Sequence, residues 1–349
     1  MAKDSLPPFV SSDPEVTERH LLLLPAGVGA GEVEALAVSR FPAAGWDGED
    51  RVSTGRWSRG TAEPRALRLS RHSRLVGPYG LAPGDAAGLG VAASYVSVFV
   101  AQTPHERGEP PYPGGDRDGL NRAFPDGVPV RDEERGAQWL VAVARRLGGA
   151  VLIAGSGGIL APEPEAAIDL TVFSDVWLEP AAALVVMQRV SVRARLAMDA
   201  VPWSGPPAGT GERGVPGVAG LDDAERRNLH AEADAYDFAA LSAPDELTGY
   251  GVQADLGIDG LLVLEVSGEE VVPLAISTLP WAAQGAIAYR VRWDAPDFRE
   301  LELERPSFTH RVARGRARPL VGELAREVYR AVGGEVMDAA EFLIDPADL

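Results

Sequence analysis

The sequence predicts an α+β protein in which one β-α-β-β-α-β unit, with a short extra strand, is used twice in tandem. Three observations carry this. The stretch Asp132–Pro162, DEERGAQWLVAVARRLGGAVLIAGSGGILAP, reads as helix, Gly-Gly stop, strand, glycine turn and return strand. Near the other end Val321–Pro346, VGELAREVYRAVGGEVMDAAEFLIDP, repeats that order. Upstream of each copy the same kinds of segment recur: Ala92–Phe99 resembles Ala286–Trp293, Pro78-Tyr79-Gly80 resembles Gly249-Tyr250-Gly251, and His20–Leu24 resembles Asp169–Phe173. Echoes kept in one order favour duplication over two unrelated domains. The expected division is a flexible arm at 1–16, a first repeat at 17–165 and a second at 166–349. A polar insertion is expected at about 201–245 in the second.

In the first repeat His20–Leu24 is a short apolar run of strand length. Glu32–Phe41 has Val33, Leu36 and Ala37 at helical spacing. Between them Pro25–Gly31 forms a Gly-x-Gly-x-Gly turn, which has the strand-turn-helix setting of a phosphate-binding loop. Glu32 stands where the dinucleotide fingerprint needs a third glycine, and no Gly-Lys-Ser/Thr follows, so a plain connection is the better reading. Residues 43–64 are polar and Gly-rich, a loop. Leu67, Leu69 and Leu75 alternate with arginines across Arg65–Val76, as in a half-exposed strand, and Tyr95–Ala101 reads as a central strand. Thr103–Val130 is a long polar connection. The helix that follows has a stripe of Ala137, Leu140, Val141, Ala144 and Leu147. It has acids in its first turn and Arg145 and Arg146 in its last, in the sense the helix dipole favours.

The second repeat follows the same plan. Asp169–Phe173 is its first strand and Pro180–Val190 its first helix, with proline in the first turn. Arg193–Met198 reads as a short strand, 201–218 as a linker and Leu221–Leu241 as a polar helix without counterpart. Gly251–Leu256 and Leu261–Val266 read as a strand pair around Gly257 and Gly260, and Ala288–Trp293 as the next strand. Asp294–Arg318 is again a long polar connection. Leu324, Val328, Ala331 and Val332 give the last helix, stopped by Gly333-Gly334, and 335–344 the last hairpin. Both repeats should form antiparallel sheets with helices on one face.

Composition narrows the function classes. The chain has 349 residues, 46% hydrophobic and 24% charged, which is globular and soluble, with room for two cores. It has no cysteine, so disulfides, thiolate metal sites and a cysteine nucleophile are excluded. The net charge of −18 disfavours nucleic acid and anionic lipid. No apolar run has the length of a membrane span, and the first residues lack a basic-then-apolar secretory pattern, so cytoplasm is the expected location. No His-Glu-x-x-His or nucleophile elbow occurs, and Ala154–Gly158 reads as a hairpin tip. Trp177, Trp203, Trp281 and Trp293 read as core anchors.

Chemistry is expected in the two long connections, because long loops on a rigid scaffold are where sites concentrate. The first holds His105, Arg107, Asp118 and Asn121; the second holds His310, Arg311 and Arg314. If the loops meet, His105, Asp118, Asn121 and His310 converge, and Arg311 and Arg314 favour a small anionic ligand through charge-assisted hydrogen bonds. The duplicated order resembles the α+β barrel superfamily that includes chlorite dismutases and dye-decolourising peroxidases. Gly115-Asp116-Arg117-Asp118-Gly119 is similar to the Gly-x-x-Asp-Gly motif that the latter place above haem. That resemblance implies Asp118 as distal acid and His230 or His310 as proximal iron ligand. The sequence favours a non-enzymatic protein that needs no cofactor and binds a protein partner or small ligand at the junction of its repeats. The alternative is an enzyme with its site in the paired loops, most concretely a haem-dependent peroxidase.

Overall fold

The computed structural model describes residues 6–10, 18–47, 64–197, 224–225, 228 and 248–349. Within them the chain is mixed α+β, with two seven-stranded sheets and six α-helices. The first sheet is built from β1 (His20–Pro25), β2 (Gly45–Trp46), β3 (Arg65–Arg68), β4 (Arg74–Gly80), β5 (Tyr95–Gln102), β6 (Ala150–Leu152) and β7 (Ile159–Leu160). Its helices are α1 (Ala30–Val38), α2 (Pro83–Gly88), α3 (Leu120–Ala123) and α4 (Arg131–Leu147). The second sheet is built from β8 (Leu170–Ser174), β9 (Arg195–Leu196), β10 (Gly249–Asp255), β11 (Leu261–Glu269), β12 (Ala286–Asp294), β13 (Glu335–Asp338) and β14 (Leu343–Ile344). Its helices are α5 (Pro180–Val190) and α6 (Phe308–Val332).

The first sheet runs β2-β3-β4-β5-β1-β6-β7. Read from the matching edge, the second runs β9-β10-β11-β12-β8-β13-β14, the same order element for element. Every pairing within the two sheets is antiparallel. β1 sits between β5 and β6, and its leucines sort by the period of two. Leu22 and Leu24 face α1 and α4 in a core with Val33, Ala37 and Leu140. Leu21 and Leu23 face the other way, against Phe9, Leu81 and Ala86.

Both Gly-Gly pairs have the same physical cause. Gly148 and Gly333 have φ of 65° and 69°, which only glycine adopts freely. A Cβ on Gly149 would overlap the carbonyl oxygen of Leu23, and one on Gly334 would overlap that of Phe173. Leu23 pairs with Ala150 and Phe173 with Glu335, the first strand residue after each glycine pair. That register corrects the other echoes. Phe99 pairs with Leu22 and Tyr289 with Val172, so Tyr289 holds the place of Phe99 and not of Tyr95. His20 matches Leu170 and not Asp169. Pro78-Tyr79-Gly80 closes β4, whereas Gly249-Tyr250-Gly251 opens β10, which corresponds to β3.

Other expectations are corrected as well. Arg65–Val76 is not one strand but the hairpin β3–β4, turned where Leu69 donates to the Ser73 carbonyl at 2.9 Å. Helices do not lie on one face only. In the first sheet α2 and residues 6–10 cover the far face, and in the second a segment around Ile276 covers Phe173, Ala288 and Met337. Within the stretch read as a loose arm, Phe9 is buried and donates to the Gly80 carbonyl at 3.0 Å. The largest correction is α6. Ser307 accepts from the His310 amide at 3.2 Å and starts the helix inside the stretch read as a polar connection. Its buried stripe begins with His310, Ala313, Arg314 and Ala317, which hydrophobic periodicity does not register. The proposed insertion falls almost wholly outside the described residues, and Trp203 and His230 lie outside them.

The halves interlock. Phe342, in the turn between β13 and β14, is fully buried in the core of the first half, and Arg40 donates to the Ala340 carbonyl at 2.6 Å. Among the described residues no helix is long and apolar enough to cross a membrane.

Candidate functional site

His105 and Arg107 do not join the second connection. They gather with His20 around Glu133, whose side chain is 0% exposed in the first turn of α4. The His20 Nε2 lies 3.1 Å from one carboxylate oxygen, and the Arg107 guanidinium forms an ion pair with the same oxygen at 2.9 Å. The Glu106 amide donates to the other oxygen at 2.7 Å, and His105 lies 4.0 Å away. The Ala154 amide donates to His20 Nδ1 at 3.1 Å, so the neutral ring carries its proton on Nε2 and donates it to Glu133. Burial pushes the Glu133 carboxyl up. Hydrogen bonds from His20 and the Glu106 amide, with the charge of Arg107, outweigh burial and hold it below the usual value. Arg107 also stacks over Phe124 at 4.3 Å. This is a satisfied polar knot that pins the start of the first connection to α4.

Further along, the two connections do meet. The Asp116 amide donates to the Glu302 carbonyl at 2.7 Å. Arg122 grips Glu304 with two hydrogen bonds of 2.9 and 2.7 Å. Asn121 closes the turn beside them, donating to the Gly115 carbonyl at 3.2 Å. Asp118, His310 and Arg314 line one small cavity of about 400 Å³ between the connections. Asp118 pairs with Arg145, and the buried Arg314 pairs with Glu163 at 2.7 Å. Burial, with the charge of Arg314, lowers the His310 pKa. Its ring lies 5.0 Å from that of Trp293, and its buried Nε2 has no hydrogen-bond partner. Arg311 is exposed and lines neither this cavity nor the larger one below.

Asp118 lines this chamber, and its partner Arg145 lines a larger one of about 820 Å³. One wall of the larger cavity is the last turns of α4, with Arg145 and Arg146. The opposite wall is α6, with Gly315, Pro319, Gly322, Glu323 and Arg326. The segment joining the halves, residues 338–340 and the last residues, with Ile344, Asp348 and Leu349, line the rest. Its size suits a small organic ligand. Among the described residues no hydroxyl, thiol or imidazole side chain lines it. Sequence reading missed it because its markers, two glycines and a proline, sit in a stretch read as loop and helix start. One signal was available: glycine-glycine-proline at 315, 322 and 319 share one helical face once the helix is extended back to Phe308.

Of the residues suggested for haem, Asp118 and His310 do not fit that group, and His230 lies outside the described residues. Asp118 is tied to Arg145 and Arg117, and the cavity it shares with His310 is crossed by the Arg122–Glu304 and Arg314–Glu163 ion pairs rather than offering a continuous apolar wall for a flat macrocycle. Among the described residues no group of three or more metal-ligating side chains occurs. No protein-family model, curated protein or solved structure matches the chain.

Proposed function

We propose that this is a small-ligand-binding protein that holds a ligand with an anionic group in the larger cavity, at the junction of two duplicated ferredoxin-like units. The duplication is supported by the common strand order and by the two Gly-Gly pairs packing against matching strand carbonyls. In each half the elements β1-α1-β4-β5-α4-β6 and β8-α5-β11-β12-α6-β13 follow the split βαβ order, with extra strands at the edges.

The observation that carries the binding reading is the wall of α6. Glycine within a helix costs about 1 kcal/mol and proline about 3 kcal/mol relative to alanine. Packing does not require the glycines, because a Cβ at Gly315 or Gly322 would meet nothing within 4 Å. Gly315, Pro319 and Gly322 all line the cavity. A helix that departs from local preference on the cavity face keeps that volume open, and such departures concentrate at functional sites. The arginines of the cavity supply charge for an anionic group. In the block 311–318, Arg314, Arg316 and Arg318 are engaged by Glu163, Asp259 and Glu165, which supports the expectation that the chain does not grip nucleic acid.

The test is to fill the cavity. Gly322→Leu should melt within a few degrees of the wild type, because the new side chain enters open space. Wild-type protein should be stabilised by at least one member of a set of dicarboxylates, sugar phosphates and amino acids in a thermal-shift series, and Gly322→Leu by none. An identical response of the two proteins, or no response of the wild type, would overturn the reading.

A further inference from the structure

Two charged side chains on the cavity wall have no ion-pair partner among the described residues, and one backbone carbonyl lacks its usual helical donor. Glu323 and Arg326 both line the cavity one helical turn apart, and neither has an ion-pair partner among the described residues. The other arginines there are at least partly engaged: Arg145 pairs with Asp118, although its buried Nε has no hydrogen-bond partner among the described residues, Arg318 pairs with Glu165, and Arg146 more loosely with Asp338 at 3.8 Å. The third group is a backbone oxygen. Pro319 lies inside α6 and has no N–H, so the carbonyl of Gly315, four residues back, loses its usual helical donor. Asp348 adds another carboxylate without an ion-pair partner at the rim.

We infer that the ligand is an amino acid zwitterion, a proposal that rests on the binding reading above. A free carboxylate and a free guanidinium at i and i+3 stand about 5–6 Å apart at their Cβ atoms. Neither has an ion-pair partner among the described residues, and a group that carries an ammonium and a carboxylate on one carbon complements both. The carboxylate of the ligand meets Arg326, with Arg146 opposite, and the ammonium meets Glu323. The ligand's side chain then lies over Gly322 and Pro319, where the wall has no long side chains. The Gly315 carbonyl accepts from a donor at its far end. Gly315 and Arg326 are eleven residues apart, about 16 Å along the axis at ~1.5 Å per residue. Side chains tilt toward the helix N-terminus, so Arg326 reaches back over Gly322 and shortens the span. Amino acids with a long side chain ending in N–H groups fit that length better than small ones. A simple dianion would set its second anionic group against Glu323 and Asp348, where a zwitterion brings an ammonium instead.

The test is calorimetric titration of the 349-residue chain with each of the twenty protein amino acids and with glutarate. At least one amino acid with a long donor-bearing side chain should bind. Its decarboxylated and its deaminated analogues should each bind roughly 10- to 100-fold more weakly, the range for loss of a charged hydrogen bond. Arg326→Gln should weaken the parent amino acid by a similar factor and leave the binding of its decarboxylated analogue unchanged. Binding of glutarate but of no amino acid would overturn the zwitterion while leaving the cavity as a ligand site. Equal binding of the deaminated analogue would also overturn it. No binding of any probe, together with no difference between wild type and Gly322→Leu in the thermal-shift series, would overturn both.

Discussion

α4 and α6 occupy the same place in the two halves, each ending in a Gly-Gly pair ahead of the strand beside the central one, yet they are built on different principles. α4 has seventeen residues and buries Trp139, Leu140, Val141 and Val143. Its one buried charge, Glu133, has partners on both oxygens. α6 has twenty-five residues, starts on a buried His310 and Arg314, and is interrupted on its cavity face by Gly315, Pro319 and Gly322. The first helix is arranged for packing. The second gives up packing and propensity where it borders the cavity. What the two share, the Gly-Gly stop, is a steric requirement of the strand beneath. What differs is what each helix faces.

The comparison can be broken first at Glu133. Glu133→Ala leaves Arg107, the His20 N–H and the Glu106 amide without their acceptor, and removal of one partner from a buried pair costs about 3–5 kcal/mol. The Glu133 carboxyl has its folded-state pKa held below the ordinary value of 4.5. Its contribution is therefore complete above that value and is lost as pH falls through the lower folded-state value. Urea melts should show a wide gap between variant and wild type at neutral pH, closing on acidification below about 4.5. A gap independent of pH would mean that the knot acts by shape alone.

The stripe of α4 is the next step. Leu140 is 1% exposed, and Leu140→Ala should cost about 2–5 kcal/mol in the same melts. The opening turns of α6 should be far more tolerant. His310 has a buried Nε2 without a partner, so His310→Phe should be neutral or stabilising by about 1–3 kcal/mol, the range for an unsatisfied buried group. Its pKa in the fold lies below the ordinary 6.5. The wild type therefore loses stability as pH falls below that value, and the variant should not show that loss. A His310→Phe protein with an unchanged pH profile would contradict the assigned cause.

How much of this could be read from the residues depends on which physical rule each element obeys. α4, β1 and the Gly-Gly stops follow hydrophobic periodicity and glycine geometry, so they were legible. The start of α6 was not, because its inward face is written in His, Ala and Arg rather than Leu and Val. The hairpin β3–β4 was hidden because Leu67, Leu69 and Leu75 keep the same parity across the turn. Alternation alone therefore reads straight through it. The echoes involving Tyr95 and His20 shared composition but not register. Register is set by the strand partner, and neither segment declares its partner. Of the seven predicted site residues, Asp118, His310 and Arg314 came together because the two connections touch. His105 and Arg107 went instead to Glu133, a glutamate that looked like ordinary first-turn charge. The larger cavity lay between a helix face that was read as loop and the end of α4, so its lining could not be assembled from one dimension.

The smallest effect separates the two principles within a single stretch of chain. Gly322 and Gly334 are twelve residues apart, and alanine at each should act with opposite sign. At Gly334 φ is 91°, and a Cβ would overlap the Phe173 carbonyl oxygen, backbone that cannot step aside without breaking the β8–β13 pairing. Gly334→Ala should therefore destabilise, by more than the 1 kcal/mol or so that glycine ordinarily differs from alanine in a helix. At Gly322 the backbone is helical and the Cβ meets nothing within 4 Å. Gly322→Ala should stabilise by about 0.5–1 kcal/mol, since alanine loses less conformational freedom on folding. If thermal melts showed Gly322→Ala to be destabilising, that glycine would be needed by packing after all. The α6 wall would then be an ordinary helix face, and the argument that it is kept open for a ligand would lose its support.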